Sequence, residues 1–200
     1  MKIIAHRRNT IETLRATPEK YGIEVDIRSI ADRLVIHHDP FVDGESFEDW
    51  LAHYRHGTLI LNVKEEGLEA RLIELMSAFS IADYFFLDQS FPFLIKWARL
   101  GERRCAVRVS EFESIETALS LAGMVEWVWV DCFTKFPLSS EDGARLRAAG
   151  FRLCLVSPEL QGRANEEEIT KMQGELAERA IVIDAVCTKR PDLWEGLCAS

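Results

Sequence analysis

Short runs of β-branched and aromatic residues alternate along this chain with stretches whose apolar positions recur at intervals of three and four. Lys2 to His6 (KIIAH) predicts a first strand. Asn9-Thr-Ile-Glu12 has the form of a capping box and predicts a short helix, bounded by Pro18 and Gly22. Ile23 to Arg28 predicts strand two, and Leu34 to His37 a short extra strand returning from it. Ser46 caps a helix with Phe47, Trp50, Leu51 and Tyr54 at helical spacing. Thr58 to Lys64 (TLILNVK) predicts strand three, followed by an amphipathic helix marked by Leu68, Leu72, Leu75, Met76 and Phe79. Further strands are predicted at Tyr84 to Gln89, Arg104 to Val109, Glu126 to Asp131, Phe151 to Val156 and Ala180 to Val186. Between them lie helices carrying Phe93, Leu94, Trp97 and Leu100, then Ile115 and Leu119, then Ser140 to Ala149, then Glu166 to Arg179; a short helix from Pro191 closes the chain.

Strands alternating with helices predict an α/β protein with a parallel sheet. Eight such strands at this rhythm point to a compact (β/α)8 TIM barrel, shorter than the usual ~250 residues. A doubly wound open sheet is the alternative, but no G-x-G-x-x-G follows the first strand. With no linker, low-complexity tract or repeat, residues 1–200 read as a single domain.

Composition narrows the function. The formal charge of -9 argues against non-specific nucleic-acid binding. It leaves room for a small anionic substrate in a locally cationic pocket. No apolar run is long enough for a membrane span, and MKIIAHRRN lacks the long apolar segment of a signal peptide, so a mature cytoplasmic protein is expected. Five cysteines, an odd number without a C-x-x-C pair, argue against a disulfide framework or a zinc site, and the first four, Cys105, Cys132, Cys154 and Cys187, read as small buried residues in or beside strands. Assembly into a homo-oligomer is compatible with all of this.

The chemistry centres on GIEVDIRSIADRLVIHHD, Gly22 to Asp39. Glu24 and Asp26 lie two apart on a strand and point the same way, with Ile23, Val25 and Ile27 on the other face. Buried acids need partners. A divalent cation is the simplest one, and oxygen-only ligands suit magnesium or calcium. In a barrel, functional groups gather at the C-terminal strand ends. His6 and Arg7 end strand one, Asn62 and Lys64 share a face at the end of strand three, and His38 and Asp39 end the extra strand. A metal, cations for phosphate charge and two histidines that move protons are the parts that phosphodiester cleavage uses.

Plainer assignments compete at each position. Glu24 and Asp26 would be unremarkable on a solvated edge strand, and His6 as a satisfied core histidine. His37 reads as structural or as lying at the pocket rim, because strand parity groups His38 with Leu34 and Ile36. Asp88 and Asp131, at strand ends, either line a pocket or cap the next helix. Trp127, Trp129 and the aromatic helix stripes read as core. Ser110 and Ser157 lack a G-x-S-x-G context, which excludes a serine hydrolase of that type.

The ordered pieces AHRRNT-IETL, IEVD, LVIHHDP and LNVK resemble the glycerophosphodiester phosphodiesterase family over about the first third of the chain. Its pattern is H-R near the N-terminus, E-x-D on strand two, H-D soon after and E-x-K on strand three. The late CTKRPD resembles the family's closing T-D-x-P more weakly. The resemblance implies a phospholipase C-like phosphodiesterase barrel and a hydrolase of lipid metabolism acting on a small-molecule phosphodiester. It implies that His6 and His38 form the acid/base pair, that Arg7 and Lys64 hold the phosphate, and that Glu24 and Asp26 bind magnesium or calcium. The implied mechanism is attack of a neighbouring substrate hydroxyl on phosphorus, giving a cyclic phosphate that is then hydrolysed.

The chain departs from this pattern in three ways. Asn62 stands where the family has a third carboxylate, Arg8 replaces a glycine after His-Arg, and the loops are short. A degenerate barrel that binds a phosphorylated ligand without turnover is therefore the rival reading. An amidohydrolase, which would want H-x-H on strand one, ranks below both. One outcome is expected from the pattern alone: Asn62→Glu raises magnesium affinity in isothermal titration. Unchanged or weaker affinity would remove Asn62 from the ligand set.

Overall fold

The computed structural model describes residues 1–198 and divides into two compact units, Ala5–Lys96 and Met1–Ile4 with the chain from Trp97 onward. The chain opens with β1 (Lys2–Ala5) and α1 (Ile11–Ala16), then β2 (Gly22–Ile30) and β3 (Arg33–Ile36). There follow β4 (Glu45–Ser46), α2 (Phe47–Leu51), β5 (Leu59–Val63), α3 (Glu69–Ala78), β6 (Tyr84–Leu87) and α4 (Phe91–Arg99).

In the Ala5–Lys96 unit, β2 is a central strand. It pairs in parallel with β5 and antiparallel with β3. In turn β5 pairs in parallel with β6, and β3 antiparallel with β4. Register sets Asp26 opposite Asn62 and Ile27 opposite both Val63 and Ile36. Ile23, Val25 and Ile27 are fully buried on one face, and so are Glu24 and Asp26 on the other. A strand covered on both faces is what a βα repeat produces.

The other unit holds β7 (Ala106–Val109), α5 (Ile115–Leu119), β8 (Trp127–Val130), α6 (Ser140–Ala148), β9 (Arg152–Val156), α7 (Glu166–Glu178), β10 (Ala185–Thr188) and α8 (Pro191–Trp194). Here β7, β8, β9 and β10 pair in parallel in that order, with β1 beside β10. Cys105, Cys132, Cys154 and Cys187 are buried and free, as expected of small core residues. Among the described residues no helix is long and apolar enough to cross a membrane.

Two expectations need correcting. The cap of α1 is Thr10, not Asn9: Thr10 and Thr13 form the reciprocal box, because the Asn9 side chain is drawn to a buried carboxylate. The last strand is β10 at Ala185–Thr188, not Ala180 to Val186. The AIVI alternation there belongs to the exit of α7, where Ile181 N–H returns to the Leu176 carbonyl and Val182 is exposed between buried Ile181 and Ile183. An αβ connection with alternating burial carries the same period-two signal as a strand.

The β3–β4 hairpin depends on Gly44. A Cβ there would lie 2.2 Å from the Ile36 carbonyl oxygen and 3.3 Å from the His37 Cβ. Gly44→Ala is expected to lower stability by about 1–3 kcal/mol, read by urea unfolding; wild-type stability would show that the hairpin does not pass this close.

Candidate functional site

Glu24, Asp26 and Arg28 recur at period two on one face of β2. The two acids are fully buried, so each oxygen needs a donor. Glu24 Oε1 accepts from Asn62 Nδ2 at 2.8 Å. Glu24 Oε2 accepts from the Arg7 N–H at 2.8 Å and lies 3.8 Å from His6 Nε2. Asp26 Oδ2 accepts from Asn9 Nδ2 at 2.8 Å and lies 3.4 Å from Arg7 Nε. Asp26 Oδ1 lies 3.2 Å from Lys64 Nζ. Asn9 completes its clasp with Oδ1, which accepts the Asp26 N–H at 3.1 Å.

Burial dominates the electrostatics. It pushes the Glu24 carboxyl up to about 7, and the neighbouring Asp26 charge adds to this; Asn62, the Arg7 N–H and Lys64 work in the opposite sense. Arg7 has φ 52 and Asp88 φ 59, both in the left-handed region that non-glycine residues enter at a cost. The Arg7 N–H donates to Glu24 from that conformation, and Asp88 Oδ2 meets Lys64 Nζ at 3.4 Å.

Two groups outside the acids hold the strand ends in place. Arg28 donates through Nε and Nη2 to the His38 carbonyl, at 3.1 and 2.9 Å, and through Nη1 to the Lys64 carbonyl at 3.2 Å. One guanidinium thus ties the ends of β3 and β5 together. Fully buried Trp50 donates from Nε1 to the Arg8 carbonyl at 3.0 Å and secures the loop after β1.

Six of the seven expected site residues, His6, Arg7, Glu24, Asp26, Asn62 and Lys64, therefore meet in one network. The seventh, His38, pairs with Asp39 instead of with either acid. Its Nδ1 hydrogen-bonds Asp39 at 2.8 Å, which holds the Asp39 carboxyl below the ordinary range. It lines a cleft of about 570 Å³ with Arg7, Asn9, His37 and Glu45. His37 stands at the rim of this cleft and bonds the Asp39 backbone. Asp88 lines a second cavity with Lys64, whereas Asp131 pairs with Arg108 and accepts from Gln161.

Asn9 and Arg28 were missed. Arg28 had a signal, since it continues the face of Glu24 and Asp26; Asn9 had none beyond proximity to His6 in sequence.

The donor set can be tested against a metal. The Asn62 Oδ1 and Asp26 Oδ1 oxygens are buried without a hydrogen-bond partner and belong to residues paired across β2 and β5. Two carboxylates and an amide carbonyl fit a hard cation such as magnesium or calcium. Its entry would displace the Lys64 ion pair. Among the described residues no three His, Cys, Asp or Glu side chains gather closely enough to form a metal site by themselves, so a cation held here would draw on the Asn62 carbonyl as well.

No family model and no curated protein matches the sequence. Solved structures do match. A glycerophosphodiester phosphodiesterase from Agrobacterium tumefaciens aligns with TM-score 0.68 and 16% identity over 100% of this chain and 99% of that one. A putative glycerophosphoryl diester phosphodiesterase from the same organism gives 0.69 and 18% over 99% and 97%. One from Parabacteroides distasonis gives 0.66 and 14% over 99% and 86%. A tryptophan synthase α-subunit from Pyrococcus furiosus aligns less well, at 0.57 and 12% over 98% and 90%. At such identities the likeness is one of fold, and the side chains must carry the chemistry.

Glu24 makes a pH prediction. Its folded value near 7 lies above the ordinary 4.5, so between them the native state holds a proton that the unfolded chain has lost. In chelator, the Glu24 contribution to stability is full below about 4.5, falls as pH rises to about 7 and is level above, a change of about 3 kcal/mol. Urea unfolding across this range is expected to show that decline in wild type relative to Glu24→Gln. Parallel curves would refute the buried-acid assignment.

Proposed function

We propose that this protein is a metal-dependent phosphodiester hydrolase acting on a glycerophosphodiester-like small molecule, on a (β/α)8 barrel scaffold. The observation that carries this reading is Asp26, flanked by Arg7 on one oxygen and Lys64 on the other. The two cations bracket a position for a phosphate, and each lines a separate cavity. A diester has two arms, and this arrangement offers one recess to each.

In this reading Arg7 and Lys64 hold the phosphoryl oxygens and exchange part of their contact with Asp26 for the substrate. His6, beside Glu24, takes the proton from the attacking substrate hydroxyl as the ring-closing P–O bond forms. His38, oriented through Nδ1 by Asp39, gives a proton to the departing alcohol as the other P–O bond breaks. Hydrolysis of the cyclic phosphate reverses these roles, with water as the attacking group. Glu24, Asp26 and the Asn62 carbonyl would hold magnesium or calcium, which supplies positive charge to the phosphoryl oxygens.

A second reading has a specific observation in its favour. Three of the four carboxylate oxygens already accept N–H groups of this chain, and the fourth, Asp26 Oδ1, is ion-paired with Lys64, so the charge of the acids is largely answered from within. A barrel that only binds a phosphorylated ligand would look like this.

Hydrolysis of bis(p-nitrophenyl) phosphate and glycerophosphocholine, with and without magnesium or calcium, separates the two. Metal-dependent release that falls about 10²–10⁴-fold in His6→Ala is expected. No release with any metal, alongside retained phosphate-ester binding, would establish the binding protein instead.

A further inference from the structure

The cavity on the Lys64 side, about 280 Å³, is lined by Lys64, Glu65, Glu66, Glu69, Asp88, Gln89, Ser90 and Phe93. The phosphodiester reading sets one arm of the substrate in this recess but gives no role to the residues of its floor. Glu69 is fully buried. Its Oε1 accepts from Gln89 Nε2 at 3.0 Å, but its Oε2 is buried with no hydrogen-bond partner. The Gln89 Oε1 and Ser90 Oγ oxygens are buried and unpartnered as well. Ser90 does not spend its hydroxyl on capping α4, although its carbonyl takes the Leu94 N–H at 2.9 Å. A buried acceptor without a donor is costly, and Glu69 Oε2 and Gln89 Oε1 are two such oxygens, with the Ser90 hydroxyl, which can accept as well as donate, beside them in the wall.

The charge of the wall selects the donor. Four carboxylates stand against the single ammonium of Lys64. Two helices, α3 and α4, begin beside the cavity, and each contributes only about half a positive charge. The field therefore favours a cation. A primary ammonium brings three N–H donors and no acceptor, matching three unpartnered oxygens. Water brings two hydrogens and no charge, and a quaternary ammonium brings no N–H at all.

The geometry points to this cavity as the recess for a primary ammonium group on the substrate's alcohol, held by Glu69, Gln89 and Ser90, with Lys64 at the boundary between amine and phosphate. This rests on the phosphodiester reading for the substrate but not for the binding site. The site then discriminates among headgroups: an amino alcohol satisfies the three oxygens, whereas a choline-like group leaves them bare.

The test has two independent arms. In calorimetry, wild-type protein is titrated with ethanolamine and with tetramethylammonium. Ethanolamine is expected to bind at least tenfold tighter, with the difference lost in Glu69→Gln and reduced in the milder Ser90→Ala. In turnover, the ratio of kcat/KM for glycerophosphoethanolamine over glycerophosphocholine is expected to exceed ten in wild type and to approach one in Glu69→Gln. Equal binding of the two amines by wild type would mean that ordered water satisfies the oxygens, and would overturn the proposal. A preference that survives in both variants would overturn the assignment to these residues. Absence of turnover with selective ethanolamine binding would remove the phosphodiesterase reading and leave the ammonium site standing.

Discussion

Two carboxylates buried side by side on a central strand are the constraint around which the Ala5–Lys96 unit is built. Burying an ionised carboxylate without partners is prohibitive. Glu24 and Asp26 have no access to solvent. The surrounding chain answers with donors from separate segments: the Arg7 N–H and the Asn9 amide from the loop after β1, the Asn62 amide from β5, and the Lys64 ammonium from just beyond it. Compensation is incomplete for Glu24, whose carboxyl stays raised to about 7. Perturbed carboxyls of this kind cluster at functional sites.

Holding those donors in place requires its own structure. Arg28 bridges the His38 and Lys64 carbonyls, so the β3 and β5 ends move together. Trp50 pins the Arg8 carbonyl. Glu45 accepts the Ile11 N–H at 2.6 Å and fixes the start of α1, just after Asn9. Arg7 and Asp88 have left-handed backbone; Arg7 directly precedes the braced Arg8, and Asp88 pairs with Lys64 at 3.4 Å. Strained residues persist where the surroundings over-determine them, and the bracing supplies that determination.

The Asp26 ion pairs also divide the surroundings of the acids into two chemical territories. On the Arg7 side, the cleft carries histidines and exposed polar groups. On the Lys64 side, the cavity is acidic and retains unpartnered oxygens. On the proposed reading, an asymmetric diester lies across the pair with its two arms in different environments, so selectivity for one alcohol and proton transfer are set by different residues.

Much of this was legible in the amino-acid order. Period-two alternation through Ile23 to Ile27 made a strand with both acids on one face, and the spacing of His6-Arg7, Glu24-x-Asp26 and Asn62-x-Lys64 placed them at neighbouring strand ends. Local pattern suffices for such features because strand parity is a local property. It failed at Asn9, whose side chain serves a carboxylate seventeen positions away instead of its own helix, and at AIVI, where a connection alternates like a strand. The sequence by itself determined which groups would be present and which faces they would share. Only the tertiary structure decided who partners whom: the Asn62 amide turned toward Glu24, the pairing of His38 with Asp39, the Arg28 brace and the unpartnered oxygens around Glu69. Those outcomes depend on side chains from distant segments competing for the same few buried donors, and that competition has no local signature.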